Sequence, residues 1–573
     1  MSSLSFSEIT GAAFRLLDQG TRKLAQHSPG LFAVITVLSI LRSLQLGQDA
    51  CWDLRNYHFY NAFALVRGRF GLDLAPAGQA TYADPVLDLP FYGLVAAGLN
   101  PRLIAALMAM PYAAAVFFAS KIAWQILNSL AFSYSGIWWA LACLVNVSGA
   151  AGTYLVGTAM NDAYIAALVL AAVWAMVRPQ WAPTMHRLAW QGFIFGGLLI
   201  GLATGLKLTA APYAVGLCVA LAVGQPDIRR ALIAMTGCTL AGVAALTLTA
   251  GPWMLFLYEK FHSPFFPWFN AYLQSPFSEP VNLTAQDWVA KSLWTALKIP
   301  YVLIHTTQGI VGVLPIRDWR LAAVAGALCL VVFTSAWRIS RGKNLLAAIL
   351  QPSDDSLRAP AQLLMFCGVS YALWFAVFGD YRYLLPLEMA TGTLLVGLLA
   401  VALPNRKLLA AIALPVIFAI LLTTRASNWG RTSFGERFFE VQVPPIASGS
   451  LVLLLDRYPT TYLVPFFPDD ARFVRPWWRG GLNYDFTNPR YHNLLQQQIN
   501  AEIAQHRGAI YSIELARTAK GDDDSAPGSA AATLALYGLR HDSRGCQPIR
   551  SNMEKNQFGF GRSLLLCSLE RGT

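Results

Sequence analysis

The chain has 573 residues, of which 55% are hydrophobic and only 13% charged, and its net charge is +12. A soluble chain of this length needs a more charged surface, so most of it belongs in lipid. The basic excess fits cytoplasmic loops and anionic lipid, and nothing resembles a nucleic-acid module, so that class of partner is set aside.

Residues 1–30 read as an amphipathic, basic, cytoplasmic N-terminal helix with no cleavable signal apparent. Runs of about 20 apolar residues, enough to cross the hydrocarbon core, then predict about eleven transmembrane helices. They fall at 31–47, 101–120, 134–150, 162–178, 189–206, 208–224, 231–256, 320–338, 361–378, 384–403 and 407–423. With the N-terminus inside, Arg15, Arg22, Lys23, Lys121, Arg178, Arg187, Arg229, Arg230, Arg338, Arg341, Lys343, Arg358, Arg406 and Lys407 share the cytoplasmic face. Segments 48–100 and 257–319 and the part from 424 onward then lie outside. Arg55, Arg67 and Arg69 in the first of these break the rule and invite a reason.

Just past the first span, "GQDACWDLRNYHFYNAFALVRGRF" carries Asp49 and Asp53. The stretch from Asp53 to Gly68 has the spacing of a short helix on the membrane surface, with a terminal Gly. Asp53 reads either as its N-cap or as a general base whose pKa is raised by neighbouring aromatics. In "TYADPVLDLPFYGL", Asp84 before Pro85 is a cap followed by a helix start, and Asp88 has no clear role. "GTAMNDAYIAALVL" puts Asn161 and Asp162 at the mouth of a later span, where a carboxylate either caps the helix or orients a metal or a sugar.

"GLATGLKLTAAPY" sets Lys207 between two apolar runs with no acid nearby. It either snorkels or holds an anionic head group such as a phosphate. "FHSPFFPWFNAYLQSP" is an aromatic outer segment, a lid or an ordinary interfacial belt. "FGDYRYLLPLEM" places Arg382 and Tyr383 at another span end, for a phosphate or for pairing with Asp380.

From about 424 the character is that of a soluble α/β domain, periplasmic in this orientation. "GSLVLLLDRYP" and "GAIYSIELAR" read as buried strands, "NPRYHNLLQQQINAEIAQHRG" as a helix with a Gly stop, and "GDDDSAPGSAAA" as an exposed loop. A disulfide between Cys546 and Cys567 suits an extracytoplasmic location. His58, His262 and His305 are too far apart for a metal pattern, and no phosphate loop, nucleophile elbow or HExxH appears.

In order and sidedness, the acid after the first span, the "ND" opening a later span, the "GLATGLK" lysine, the "SPFFPWFN" loop and the "YRYLLP" segment resemble the GT-C superfamily of integral-membrane glycosyltransferases. The resemblance covers residues 31–423 and implies a polytopic α-helical fold with the α/β domain at 424–573 as an addition. It implies transfer, with inversion, of a sugar from a polyprenyl-phosphate donor to an envelope glycan, lipid or protein acceptor on the outer face of a bacterial inner membrane. The family's acids here are often adjacent and these are four apart; Asp53 would be the base, because it opens the surface helix next to "NYHFYN", with Asp49 second. Lys207, Arg382 and Tyr383 would bind the donor phosphate. Tyr57, His58, Asn61, Asn161, Asp162 and Asn270 would contact substrate, and Asp162 would also hold a divalent metal (Mg or Mn). The loop at 263–276 would cover the donor. A transporter or flippase of a lipid-linked glycan is the alternative; it predicts internal repeats and mid-membrane polar breaks, and no repeat is visible. A non-catalytic assembly scaffold is a third.

Overall fold

A computed structural model describes residues 6–572 except 131–133, 179–188, 224, 226, 283–291, 309–310, 313, 341–354, 456–457, 477–492, 517–529 and 555–562. Every predicted span falls on a helix, but the helices differ in length. Among the described residues, six are by themselves long and apolar enough to cross a membrane: Ser28–Leu46, Pro101–Ser129, Ile228–Phe261, Arg320–Ser340, Leu357–Val377 and Arg406–Thr423. A seventh results if Tyr381–Glu388 and Thr391–Ala402, bent by 52°, count as one. Ser135–Val147, Asp162–Val177 and Leu208–Ala222 are shorter than predicted, at 10–17 residues, while the span predicted at 189–206 is found as the helix Ala189–Leu206. Polar groups cut them short: Asp162 opens one helix, and Lys207, in extended backbone, separates two others. Asp162–Val177 is buried along most of its length, so it is packed by protein where a lipid-facing helix would need full span length.

Small residues let the helices approach closely. A Cβ on Gly201, in Ala189–Leu206, would lie 2.1 Å from the Gly242 carbonyl oxygen of Ile228–Phe261, so only glycine permits this crossing.

The C-terminal part is a mixed α/β unit. Its six-stranded sheet runs Val441–Gln442, Leu539–Ser551, Leu564–Arg571, Ile510–Leu515, Leu451–Leu454, Arg472–Val474. The last three are mutually parallel and the others antiparallel. Leu451–Leu454 is buried at every position, as a central parallel strand covered on both faces requires. Asn493 caps the helix Leu494–Gln505, whose Leu495, Ile499 and Ile503 pack with Leu451, Leu453 and Ile510. Both predicted strands and the helix are therefore present, and Cys546 and Cys567 form a disulfide between facing strand positions. The predicted loop at 521–532 lies outside the described residues up to 529; Ala530–Leu536 is helical.

This unit is fastened to segment 48–100. Gln48–Asp49 pairs antiparallel with Arg431–Thr432, and Leu74 bridges Val474. Arg69 binds Asp73 and donates to the Asp469 and Ala471 carbonyls, while Arg55 donates to the Tyr458 hydroxyl. Two of the three rule-breaking arginines thus serve as fasteners; Arg67 is exposed. The 53–68 stretch is helical and ends on Gly68 in the left-handed region, but it does not lie on a surface. Residues 54–64 are largely buried, because the C-terminal unit packs over them.

Candidate functional site

The chain leaves the first span at Leu46 and widens at 54–58 into a single i→i+5 turn, in which the Phe59 amide donates to the Leu54 carbonyl. Such a turn is wider than an α-turn and brings a residue and its fifth neighbour to one face. Asp53, Tyr57 and His58 share that face. On the other, the Thr461 hydroxyl of the C-terminal unit donates to the Arg55 and Asn56 carbonyls. Asp53 has helical backbone angles and no capping bond, so the cap reading does not hold.

Its carboxylate instead joins an ion cluster drawn from four distant parts of the chain. Arg382 Nη1 is 2.6 Å from Asp53 Oδ2, and Arg382 Nε is 3.2 Å from Asp162 Oδ2. Lys207 Nζ is 2.7 Å from Asp162 Oδ1, supplying the partner that local sequence lacked. The Lys207 and Arg382 cations each lie 5.2 Å from the Tyr383 ring centroid. Asp380 accepts from the Arg382 amide at 3.0 Å, shaping the turn without pairing with the guanidinium. Two acids and two cations make the cluster neutral. Its side chains are 5–19% exposed, so it is nearly enclosed yet reachable.

Burial pushes the Asp53 carboxyl up, but the Arg382 charge, seconded by His58 and Lys207, reverses this and holds it below its ordinary value. The expected rise is therefore absent. The Tyr57 phenol is pushed well up by burial and by the Asp53 charge.

Beside the cluster is a second polar group. Asp88 Oδ1 lies 2.7 Å from His58 Nδ1 and accepts from Asn161 Nδ2 at 2.8 Å. His58 and Asp88 side chains are 3% and 2% exposed, and the Tyr57 ring lies against the imidazole with centroids 4.1 Å apart. Asp88, which had no role in the sequence, is the hub of this group.

Three predicted site residues do not join. Asp49 accepts from the Cys51 and Ala159 amides, one with each oxygen, and so braces the backbone. Asn61 donates to the Ala80 and Ala83 carbonyls. Asn270 donates to the Ser275, Ser278 and Glu279 carbonyls and accepts from the Ser275 amide, so its side chain closes its own loop. That loop does not stand free as a lid: Phe266 is fully buried, stacked on Phe261 and packed against Tyr82. Asp84 does cap, accepting from the Val86 amide at 2.9 Å, and burial pushes its carboxyl up to about 6. One further buried network escaped the sequence. Asp318 pairs with Arg320 and accepts from the Tyr381 hydroxyl, next in sequence to Arg382.

A divalent metal does not fit at Asp162. Both its oxygens already face cations, and no third donor carboxylate, His or Cys completes a set among the described residues. The grouping His541, Cys546 and Cys567 has metal-like proximity, but the two sulfurs are spent on the disulfide. An open groove of 1010 Å³ lies between Ala504–Ile510 and Leu569–Arg571 of the C-terminal unit, away from all this charge chemistry.

No protein-family model and no curated protein matches the chain. Among solved structures, it is similar to ArnT from Cupriavidus metallidurans, determined bound to undecaprenyl phosphate, at 10% identity and a TM-score of 0.47. The similarity covers 94% of this chain and 97% of that one.

Proposed function

We propose that this chain is a GT-C-type membrane glycosyltransferase, moving a sugar from a polyprenyl-phosphate donor to a hydroxyl of an envelope glycan, lipid or protein acceptor, with inversion. The observation that carries the reading is the neutral, nearly enclosed cluster of Asp53, Arg382, Asp162 and Lys207 at one end of the helices. That end also bears the C-terminal unit, which the positive-inside rule would put in the periplasm if the chain sits in a bacterial inner membrane.

The chemistry follows from competition for the cations. A phosphodiester oxygen entering the cluster is a charge-assisted acceptor for Lys207 and Arg382. As Arg382 turns to the phosphate, Asp53 loses the partner that lowers its pKa, while burial remains. Donor binding thus makes Asp53 a stronger base when a base is needed. The acceptor hydroxyl gives its proton to Asp53, its oxygen bonds to the sugar's anomeric carbon, and the carbon–oxygen bond to the phosphate breaks. The electron pair departs on the phosphate, where Lys207 and Arg382 stabilise the growing charge. Asp162, which touches both cations, holds them in register, and Tyr383 lines their apolar side.

The test is release of free polyprenyl phosphate from a panel of polyprenyl-phosphate sugars by the purified full chain, with an envelope extract as acceptor source. Wild type releases it and Asp53→Asn loses nearly all activity. Release by neither protein with any donor refutes the reading; equal release by both removes Asp53 as the base.

A further inference from the structure

The disulfide of the C-terminal unit belongs to a group whose other members have no task in that scheme. Leu564–Arg571 carries Cys567. It lies between Leu539–Ser551, which carries His541 and Cys546, and Ile510–Leu515, which carries Glu514. His541 reaches across the middle strand to Glu514, with Nε2 3.0 Å from Oε1. One ring nitrogen of His541 and the two sulfurs all lie within 4.8 Å of one another. Glu514 is only 10% exposed, and the same oxygen accepts from the Ser512 hydroxyl.

The sequence builds this convergence locally. His541 faces Leu569 and Cys546 faces Cys567, so five steps along one strand are matched by two along the other. In regular pairing Ser543 would face Cys567; a bulge puts Cys546 there instead. Gly545 turns the bulge in the left-handed region, where a side chain would be strained. Asp542 pins it, accepting from the Arg544 amide at 2.8 Å and from the Ser568 hydroxyl of the middle strand at 2.7 Å.

Two thiolates and an imidazole are a zinc donor set, three corners of a tetrahedron with the fourth open. A metal-bound histidine commonly gives its other ring nitrogen to a carboxylate, which fixes the ring. Glu514 holds Nε2 in that way, which leaves Nδ1 for the metal. Only the thiolate ligates, so the site exists when the disulfide is open.

We propose that the dithiol form of this group is a zinc site: Cys546 Sγ, Cys567 Sγ and His541 Nδ1 bind the metal, water fills the fourth position and Glu514 orients the ring. A dithiol reductant passes two electrons and two protons to the disulfide and becomes a disulfide itself. Zn2+ then displaces the two thiol protons to water. The same two strands are tied in either state, by a covalent bond or by the metal, and exposed Cys546 is open to both reagents. The inference does not depend on the transferase reading.

The measurement is zinc binding by the purified full chain, in competition with a chromophoric chelator, after reduction with a phosphine, which does not itself hold zinc. Other cysteines are free, so the double variant Cys546→Ser/Cys567→Ser is the reference. Reduced wild type should bind one zinc more than the reference, and oxidised wild type none more. Cobalt in place of zinc should give a sulfur-to-metal charge-transfer band in the same difference. Glu514→Gln should weaken binding about 10–100-fold, and His541→Ala, which loses a ligand, by more. The His541 side chain is 44% exposed, and a thiol count showing the disulfide in oxidised His541→Ala checks that the sheet is folded. Zinc should slow proteolysis after Ser551 in reduced wild type but not in reduced His541→Ala.

The proposal is overturned if reduced wild type binds no more zinc than the reference, or if the oxidised chain binds as much as the reduced one. It is equally overturned if a folded His541→Ala binds as tightly as wild type. Unchanged affinity in Glu514→Gln overturns the part given to the carboxylate.

Discussion

Replacing Arg382 by Gln removes the one cation that Asp53 pairs with among the described residues. At 2.6 Å the gross attraction of the pair, taken at an effective dielectric constant of about 20, is roughly 6 kcal/mol. Desolvation offsets part of this, and breaking a pair of such burial costs about 3–5 kcal/mol, mainly because the remaining charge is left buried and alone. Asp162 keeps Lys207, so the orphan is Asp53, and the remedy is specific. Asp53→Asn in the Arg382→Gln background should recover about half or more of the loss. The pH dependence follows from the same pair. In wild type the depressed Asp53 pKa contributes stability that is present above the unfolded-state pKa and lost as pH falls through the folded value. In Arg382→Gln, burial unopposed by Arg382 raises that pKa, so the deficit is largest at neutral pH and shrinks as acid protonates Asp53. Thermal unfolding of the detergent-solubilised chain, for wild type, both single variants and the double, read at neutral and acid pH, measures each term. If the two single changes add within about 0.5 kcal/mol, Asp53 and Arg382 are not coupled and the cluster is wrong.

Lys207→Met should weaken binding of polyprenyl phosphate about tenfold or more, because a charge-assisted bond to the phosphate is worth roughly 1.5–3 kcal/mol; a binding titration checks it, and unchanged affinity removes Lys207 from the phosphate site. Thr461→Val leaves the Arg55 and Asn56 carbonyls without their side-chain donor, at a cost of about 1–3 kcal/mol. It should lower the turnover of polyprenyl phosphate release although Thr461 bonds only backbone carbonyls of the turn; turnover at the wild-type rate would show that the turn holds its shape unaided. Reducing the Cys546–Cys567 disulfide opens a 21-residue separation and should destabilise the C-terminal sheet by about 2–4 kcal/mol. Limited proteolysis with and without reductant would show this as faster cleavage after Ser551, and identical digests would contradict it.

The apolar runs revealed where helices lie, since burial in lipid or protein demands the same residues; they revealed length for some, such as Ala189–Leu206 and Arg406–Thr423, and not for others. Asp162–Val177 reads as a span because its residues are apolar, but apolarity cannot tell a lipid-facing helix from one enclosed by neighbours. The strands at 451–454 and 510–515 were legible as compact apolar runs, and Gly68 as a stop. The site was legible as residue types at span ends. Its wiring was not, because Asp53 and Arg382 are 329 positions apart and Lys207 and Asp162 are 45 apart. Local reasoning therefore gave Asp53 a capping bond it does not make and a pKa shift of the wrong sign. Asp88 looked idle because both its partners are 30 or more residues away. Asn270 looked exposed to substrate because a polar residue in an aromatic loop gives no hint that its amide is consumed by three carbonyls of the same loop.

The hydroxyl that secures the turn bearing Asp53 lies 406 residues downstream of Arg55, the residue whose carbonyl it binds. At roughly 5–20 residues per second, a ribosome needs about 20–80 s to travel that distance. Throughout that interval the first helices can be in the bilayer, surrounded by lipid, while Asp53 is still unsecured. On the transferase reading, a nascent or prematurely terminated chain is then inserted but silent, and activity arrives only with the last quarter of synthesis.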